Sequence, residues 1–306
     1  MYVTGQQENL ECMSPIRTHA RERCSTMAES KQAPVDRRDF LRSAAIGAAA
    51  LVSNPVIAGT QQSEPSEQRP LSATTLEADI VKMKEKIAVA TRMLVIEGIV
   101  GSSGHVSMRI PGMNRVLVGP ADVSREIITA EDVVTVDFDS KQLDGKRRQP
   151  DETEIHTGIY RARSDVMAVL HTHPTYSVVF SITKKPILPV HMHGAIFADG
   201  VPVFDSVGHI NTRELGDGLA RALGSRRAVL IKMHGAAIVG NSLEEAFIAA
   251  LQLEENAQQQ LLAEGTGTAV QPMTPDDVAR CLKQSWTPHS IQKRWQYFLD
   301  KRSVAS

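Results

Sequence analysis

The apolar run Val166-Met167-Ala168-Val169-Leu170 ends in His171-Thr172-His173, and this junction constrains the chain more than any other feature. An unbroken apolar run of this length reads as a strand buried on both faces. Residues two apart on a strand point to the same side, so two imidazoles leave the sheet edge together. A second strand-like run, Ala228-Val229-Leu230-Ile231-Lys232-Met233, leads to His234, and Gly235 after it permits a tight turn with close backbone approach. Three neutral imidazoles with a fourth position open form the donor set of a catalytic rather than a structural divalent-metal site.

Upstream, Glu152 lies in Asp151-Glu152-Thr153-Glu154-Ile155-His156-Thr157-Gly158-Ile159-Tyr160, where Ile155 and Ile159 repeat at helical spacing and acidic residues crowd the first turn. The spacing predicts a helix start that carries a carboxylate. Together, Glu152 to His156, His171 to His173, and His234-Gly235 resemble in order and spacing the metal-dependent members of the class II aldolase/adducin family. Gly104-His105-Val106-Ser107 and Thr129-Ala130-Glu131-Asp132-Val133-Val134 extend the resemblance, which covers residues 76–265.

The resemblance implies a three-layer α/β/α fold with a central mixed, largely antiparallel sheet, assembled as a homotetramer with sites between neighbouring subunits. It implies that His171, His173 and His234 hold a divalent ion, zinc first, with iron, manganese, cobalt and nickel as alternatives. Glu152 would then move the proton. His193, in Pro189-Val190-His191-Met192-His193-Gly194, falls near the position where family aldolases carry a tyrosine acid supplied by a neighbouring subunit, so it is the second catalytic candidate. His156 and His209 are read as structural.

The sequence departs from the sugar-phosphate aldolases where they hold phosphate. Gly104-His105 stands in place of Gly-Asn, and Pro150-Asp151 in place of two serines. A carboxylate at Asp151 removes a donor and sets like charge against a phosphate dianion. Arg125, with Arg109 as a weaker candidate, offers a planar fork to a carboxylate instead. Gly104, His105, Arg125 and Asp151 are therefore the substrate-binding candidates. Relatives with Gly-His-Val-Ser resemble decarboxylases of hydroxylated aromatic acids. The reading is a metal-dependent carbon–carbon lyase, a decarboxylase or an aldolase, acting on a non-phosphorylated hydroxy acid, hydroxyaromatic acid or sugar-like aldol. An adducin-like interaction module without catalysis and a metal-dependent oxygenase or epimerase are the alternatives.

The 306 residues are 42% hydrophobic with a net charge of −1, an ordinary globular balance that gives no electrostatic footprint for nucleic acid. No apolar segment reaches the roughly 20 residues of a membrane span. Near the start, Asp36-Arg37-Arg38-Asp39-Phe40-Leu41-Arg42 precedes a short apolar stretch from Ala44 to Ile57 and the small-residue break Val56-Ile57-Ala58. This pattern predicts a twin-arginine export signal within residues 1–58, cut after Ala58, and a periplasmic mature protein. Translation from Met1 or from Met27 fits it. Cleavage would leave Cys281 as the single cysteine, so no intramolecular disulfide is available.

Residues 59–75 read as a linker, 76–265 as the catalytic domain and 266–306 as a helical extension. Leu76, Ile80, Met83, Ile87, Ala90 and Leu94 form one helical face that stops at Gly98. Strands are expected at 105–110, 115–118 and 133–138, with turns at Pro111-Gly112 and Asp144-Gly145. Ser242-Leu243-Glu244-Glu245 is a capping box for a long helix ended by Gly265.

Overall fold

A computed structural model of the protein describes residues 73–305. The twin-arginine segment and the greater part of the 59–75 linker lie outside the described residues. Those described belong to one unit, Glu67–Ser306. No helix among them is long and apolar enough to cross a membrane.

The centre is an eight-stranded sheet built from β1 (His105–Arg109), β2 (Arg115–Val118), β3 (Val134–Asp137), β4 (Gln142–Asp144), β5 (Ala168–Thr172), β6 (Val203–Phe204), β7 (Ala228–Ile231) and β8 (Gly235–Gly240). The strand order is β4-β3-β2-β1-β5-β8-β7-β6, and only β6 and β7 run parallel. The sheet is therefore mixed and largely antiparallel, as expected. A turn before Lys141, with Ser140 left-handed at φ 63°, joins β3 to the short β4, which ends at Asp144 where Gly145 takes φ 108°.

The described residues form seven α-helices, of which the first five pack on the sheet: α1 (Ala73–Ile96), α2 (Thr153–Ala162), α3 (Thr175–Thr183), α4 (Arg213–Leu223), α5 (Leu243–Glu264), α6 (Pro275–Ser285) and α7 (Pro288–Ala305). α1 begins three residues before Leu76, inside the expected linker. The strand period of two divides the core between the two faces. Ala168 and Leu170 of β5, Leu230 of β7 and Ile238 of β8 pack with Leu94 of α1, Phe180 of α3, Phe247 of α5 and Trp295 of α7. Val169, Val229 and Val239 face the other way, onto Ile155 and Ile159 of α2 and Leu219 and Leu223 of α4. A fully buried side chain of this kind contributes about 2 kcal/mol relative to exposure, so this double-sided core carries the fold without a disulfide.

Two local features fix the helix that bears Glu152. A Cβ at Gly158 would stand 2.6 Å from the backbone of Gly216, so the bare glycines let α2 and α4 cross closely. Beside that crossing, Arg161 donates to Glu154 Oε2 at 2.8 Å and to Asp217 Oδ1 at 2.7 Å. At α5, Ser242 Oγ accepts from the Glu245 N–H at 3.1 Å, but Glu245 reaches back to the N–H of Asn241, so the expected capping box closes one residue early. Phe247 and Trp295 meet edge to face at 5.2 Å, joining α7 to α5.

Candidate metal centre and active-site cavity

β5 and β8 lie side by side at the middle of the sheet, with His171 paired to Ala237 and Thr172 to Ala236. His171 and His173 project from the end of β5, and His234 comes from the turn that joins β7 to β8. The ligand atoms of these three histidines lie within 4.8 Å of one another. His171 Nδ1 is 3.1 Å from the Ala236 carbonyl, which can only accept, so Nδ1 carries the proton and Nε2 keeps its lone pair. That Nε2 is buried and has no hydrogen-bond partner. His173 Nδ1 is tied to Ser103 Oγ at 3.1 Å. An outer hydrogen bond that fixes the ring and bares the inner nitrogen is the support a metal-binding imidazole requires. The donors therefore fit a divalent ion.

The turn into His234 is tight, as expected. Met233 takes the left-handed conformation, at φ 55°, with its N–H held by Ser181 Oγ at 2.9 Å. Gly235 provides the expected close backbone approach, since a Cβ there would lie 2.4 Å from the Thr172 carbonyl oxygen and 2.9 Å from His173 Cδ2.

Glu152 occupies the N-cap position of α2 but makes no capping bond. Its Oε1 accepts from the Ile210 N–H at 3.0 Å, while Oε2 stands 3.4 Å from His171 Nε2 and 3.7 Å from His234 Nε2. Burial pushes its pKa up, but the close approach of His171, followed by the Ile210 N–H and His234, brings it down to about 2. The carboxylate is thus ionised among the imidazoles. Burial, followed by the neighbouring His171, lowers His173 to about 4, and burial lowers His234 as well. Neutral imidazoles are the form a metal binds.

His105 opens β1 directly opposite His171, their ring centroids 5.2 Å apart. Its Nδ1 is 3.4 Å from His156 Nε2. Behind it, His156 Nδ1 is 2.7 Å from Ser107 Oγ, which also lies 2.9 Å from the Tyr160 hydroxyl and 3.2 Å from the Val169 carbonyl. Burial drives His105 well below its usual pKa and brings His156 down to about 3. His156 is structural, as expected.

His105, Glu152, His173 and His234 border a cavity of about 190 Å³, which Ser103, Arg125, Arg148, Asp151 and His209 also line. Arg125 is buried, but Nε donates to the Gly104 carbonyl and Nη1 to those of Ala121 and Val123. Only Nη2 remains for a ligand, so the expected fork is reduced to one nitrogen. Asp151 is neutralised by Arg148 at 2.6 Å, which weakens the repulsion attributed to it from sequence. Gly104 does not line the cavity; at φ 106°, with a Cβ position 3.0 Å from the His171 carbonyl oxygen, it serves backbone fit. Arg109 is spent at the opposite end of β1 on the carbonyls of Val166, Tyr160 and Arg163.

His193 is not brought to this cavity within one chain. It sits in a 3-10 turn, Met192–Phe197, with Nδ1 3.0 Å from Glu255 Oε2 and Nε2 2.9 Å from Arg294 Nη2, beside a separate hollow lined by Leu251, Tyr297 and Phe298. His209, read from sequence as structural, lies at the cavity mouth with its ring 6.2 Å from that of His234. It occupies an irregular segment without periodicity, where sequence offers no signal beyond residue type.

Comparison with known proteins gives a consistent picture. The family described as "Class II Aldolase and Adducin N-terminal domain" matches residues 85–261. A 3,4-dihydroxyphthalate decarboxylase from Arthrobacter keyseri is 30% identical over 72% of this chain and 94% of its own length. An L-fuculose phosphate aldolase from Escherichia coli is 29% identical over 60% of this chain and 84% of that protein. Among solved structures, L-fuculose 1-phosphate aldolase from Glaciozyma antarctica superposes with a TM-score of 0.66 at 24% identity, covering 77% of this chain and 96% of that one, which shows the shared fold.

Proposed function

The chain belongs to the class II aldolase and adducin family, and from that premise we propose that it is a metal-dependent carbon–carbon lyase acting on a non-phosphorylated hydroxy acid, preferably a hydroxyaromatic acid that it decarboxylates. The observation that carries this reading is the convergence of His171, His173 and His234 with the Glu152 carboxylate among them. His171, His173 and His234 would hold the ion, zinc by preference of the donor set, and the ion supplies Lewis acidity to adjacent substrate oxygens when bound.

The other roles fall to this chain's own groups. Glu152, anchored through Oε1, presents Oε2 to the reacting centre and moves the proton there. Arg125 Nη2 attracts the substrate carboxylate. His105 and Ser103 border the cavity and orient hydroxyl groups. His193 acts as an acid only if a second copy carries it to the site, so a homotetramer belongs to the proposal. Export to the periplasm through Arg37 and Arg38 belongs to it as well.

The test is metal analysis of the purified protein and of His234→Ala, followed by assay of CO2 release from 3,4-dihydroxyphthalate and of cleavage of L-fuculose 1-phosphate. Loss of most of the metal in the variant, with turnover of the carboxylic acid in the wild type, is expected. Full metal retention in His234→Ala would remove that residue from the site, and faster turnover of the phosphorylated sugar would overturn the substrate reading.

A further inference from the structure

The hydrogen bonds behind His105 form a chain with a direction. In one of the two directions these contacts allow, the single Ser107 hydroxyl proton goes to the Val169 carbonyl 3.2 Å away, which can only accept. Ser107 Oγ is left to accept, so the His156 Nδ1, 2.7 Å away, is the donor in that contact, with the Tyr160 hydroxyl donating beside it. A neutral imidazole carries one ring proton. His156 Nε2 is therefore bare and accepts from His105 Nδ1 at 3.4 Å. The remaining nitrogen of His105, Nε2, has no protein partner and is not among the buried unpartnered atoms, while the residue borders the cavity.

We propose that His105 is a specificity residue whose tautomer is fixed by the Tyr160–Ser107–His156 chain, so that its Nε2 faces the cavity as a hydrogen-bond acceptor and selects substrates bearing a free hydroxyl at that point. The inference rests on the lyase reading and sharpens it. A hydroxyl satisfies the lone pair of Nε2, whereas an ether, carbonyl or phosphate oxygen would set lone pair against lone pair in a partly desolvated pocket. This discrimination against phosphate is independent of Asp151, whose charge Arg148 offsets. His156, Ser107 and Tyr160 are positioning residues: they touch no substrate and act through the ring they hold.

The two side-chain amides separate the nitrogens of this ring. An asparagine at position 105 places its amide where Nδ1 stood and keeps the inner contact, while a glutamine reaches the place of Nε2 and can keep the outer acceptor.

The tautomer is read directly by nitrogen NMR of the full chain with labelled histidine, metal-free and zinc-loaded, the His105 signal being assigned by its loss in His105→Asn. A protonated Nδ1 and an unprotonated Nε2 are expected, and a proton on Nε2 overturns the proposal. Calorimetric titration of the zinc-loaded protein then compares 3,4-dihydroxybenzoate with its two monomethyl ethers. For one of the ethers, the preference for the free hydroxyl should shrink about tenfold in His105→Asn and stay within about threefold of wild type in His105→Gln, the scale of one well-placed hydrogen bond. Preferences unchanged in His105→Asn for both ethers overturn the proposal. Zinc-independent turnover would defeat the lyase reading and leave the tautomer result standing, so the two failures are distinguishable.

Discussion

Gly235 sets the distance between the two strands that carry the metal ligands, and Gly235→Ala tests how tightly that distance matters. The added methyl would stand 2.4 Å from the Thr172 carbonyl oxygen, 2.9 Å from His173 Cδ2 and 3.2 Å from His171 Cε1. Unstrained contacts of a methyl carbon begin at about 3.5 Å, so the β5–β8 pair must open by about 1 Å or the histidines must swing away. Overpacking of this kind costs about 1–3 kcal/mol, or roughly 2–12 °C in melting temperature for a folded body of this size. The ligands suffer more, because metal-donor distances tolerate only about 0.2 Å. Zinc affinity should fall about 100-fold or more, as measured by competition with a chromophoric chelator, alongside melting of the metal-free protein. Gly101→Ala is the control, since no atom lies within 4 Å of its Cβ position. Zinc affinity within about threefold of wild type in Gly235→Ala would show that the strand spacing does not govern the site.

Glu152→Gln keeps the shape of the side chain and removes its charge, so metal should be retained while turnover falls about 100-fold or more; loss of metal would instead make Glu152 a fourth ligand, and near-normal turnover would pass the proton-moving role to His193. Acid should destabilise the metal-free protein: His156 and His173, held neutral in the fold to about 3 and 4, gain protons on unfolding once pH drops below the free-histidine value of about 6.5, and Glu152, held to about 2, adds to the loss below about 4.5. Denaturant melts should show falling stability from about pH 6.5 toward 4, and a flat profile there would contradict the buried neutral histidines. Replacing Arg37 and Arg38 with lysine should trap the precursor in the cytoplasm; unchanged periplasmic recovery of the double variant would defeat the export reading.

The sequence made some of this legible because certain residues carry their own periodicity. The unbroken apolar run 166–170, with its strand period of two, is enough to put His171 and His173 on one side of a strand, and the four-three spacing from Leu76 to Leu94 defines a helix face. β8, Gly-Ala-Ala-Ile-Val-Gly, escaped because its small residues have weak strand preference, and two-residue β6 is too short for a pattern. The hydrogen bonds of Arg125 to Gly104, Ala121 and Val123 and the ion pair of Asp151 with Arg148 are set by loop geometry, so charge alone could not reveal them. His105 was legible as a substitution in a motif, but its orientation depends on Tyr160, Ser107 and His156, which meet only when β1 and α2 pack together. His209 lay in a segment with no period to read.

The histidine triad and the cavity mouth are held by different kinds of structure. His171, His173 and His234 hang from the ends of the central strands β5, β7 and β8, whose positions are locked by neighbours on both sides. Ser102, Ser103, Ala121, Arg125, Arg148, Asp151 and His209 all lie in irregular segments that pass over the cavity. Mutation can therefore rework the mouth without disturbing the inner donors, and insertions in those segments cost the sheet nothing. A lineage built this way can exchange one substrate for another by small edits to its loops while inheriting its reactive centre unchanged.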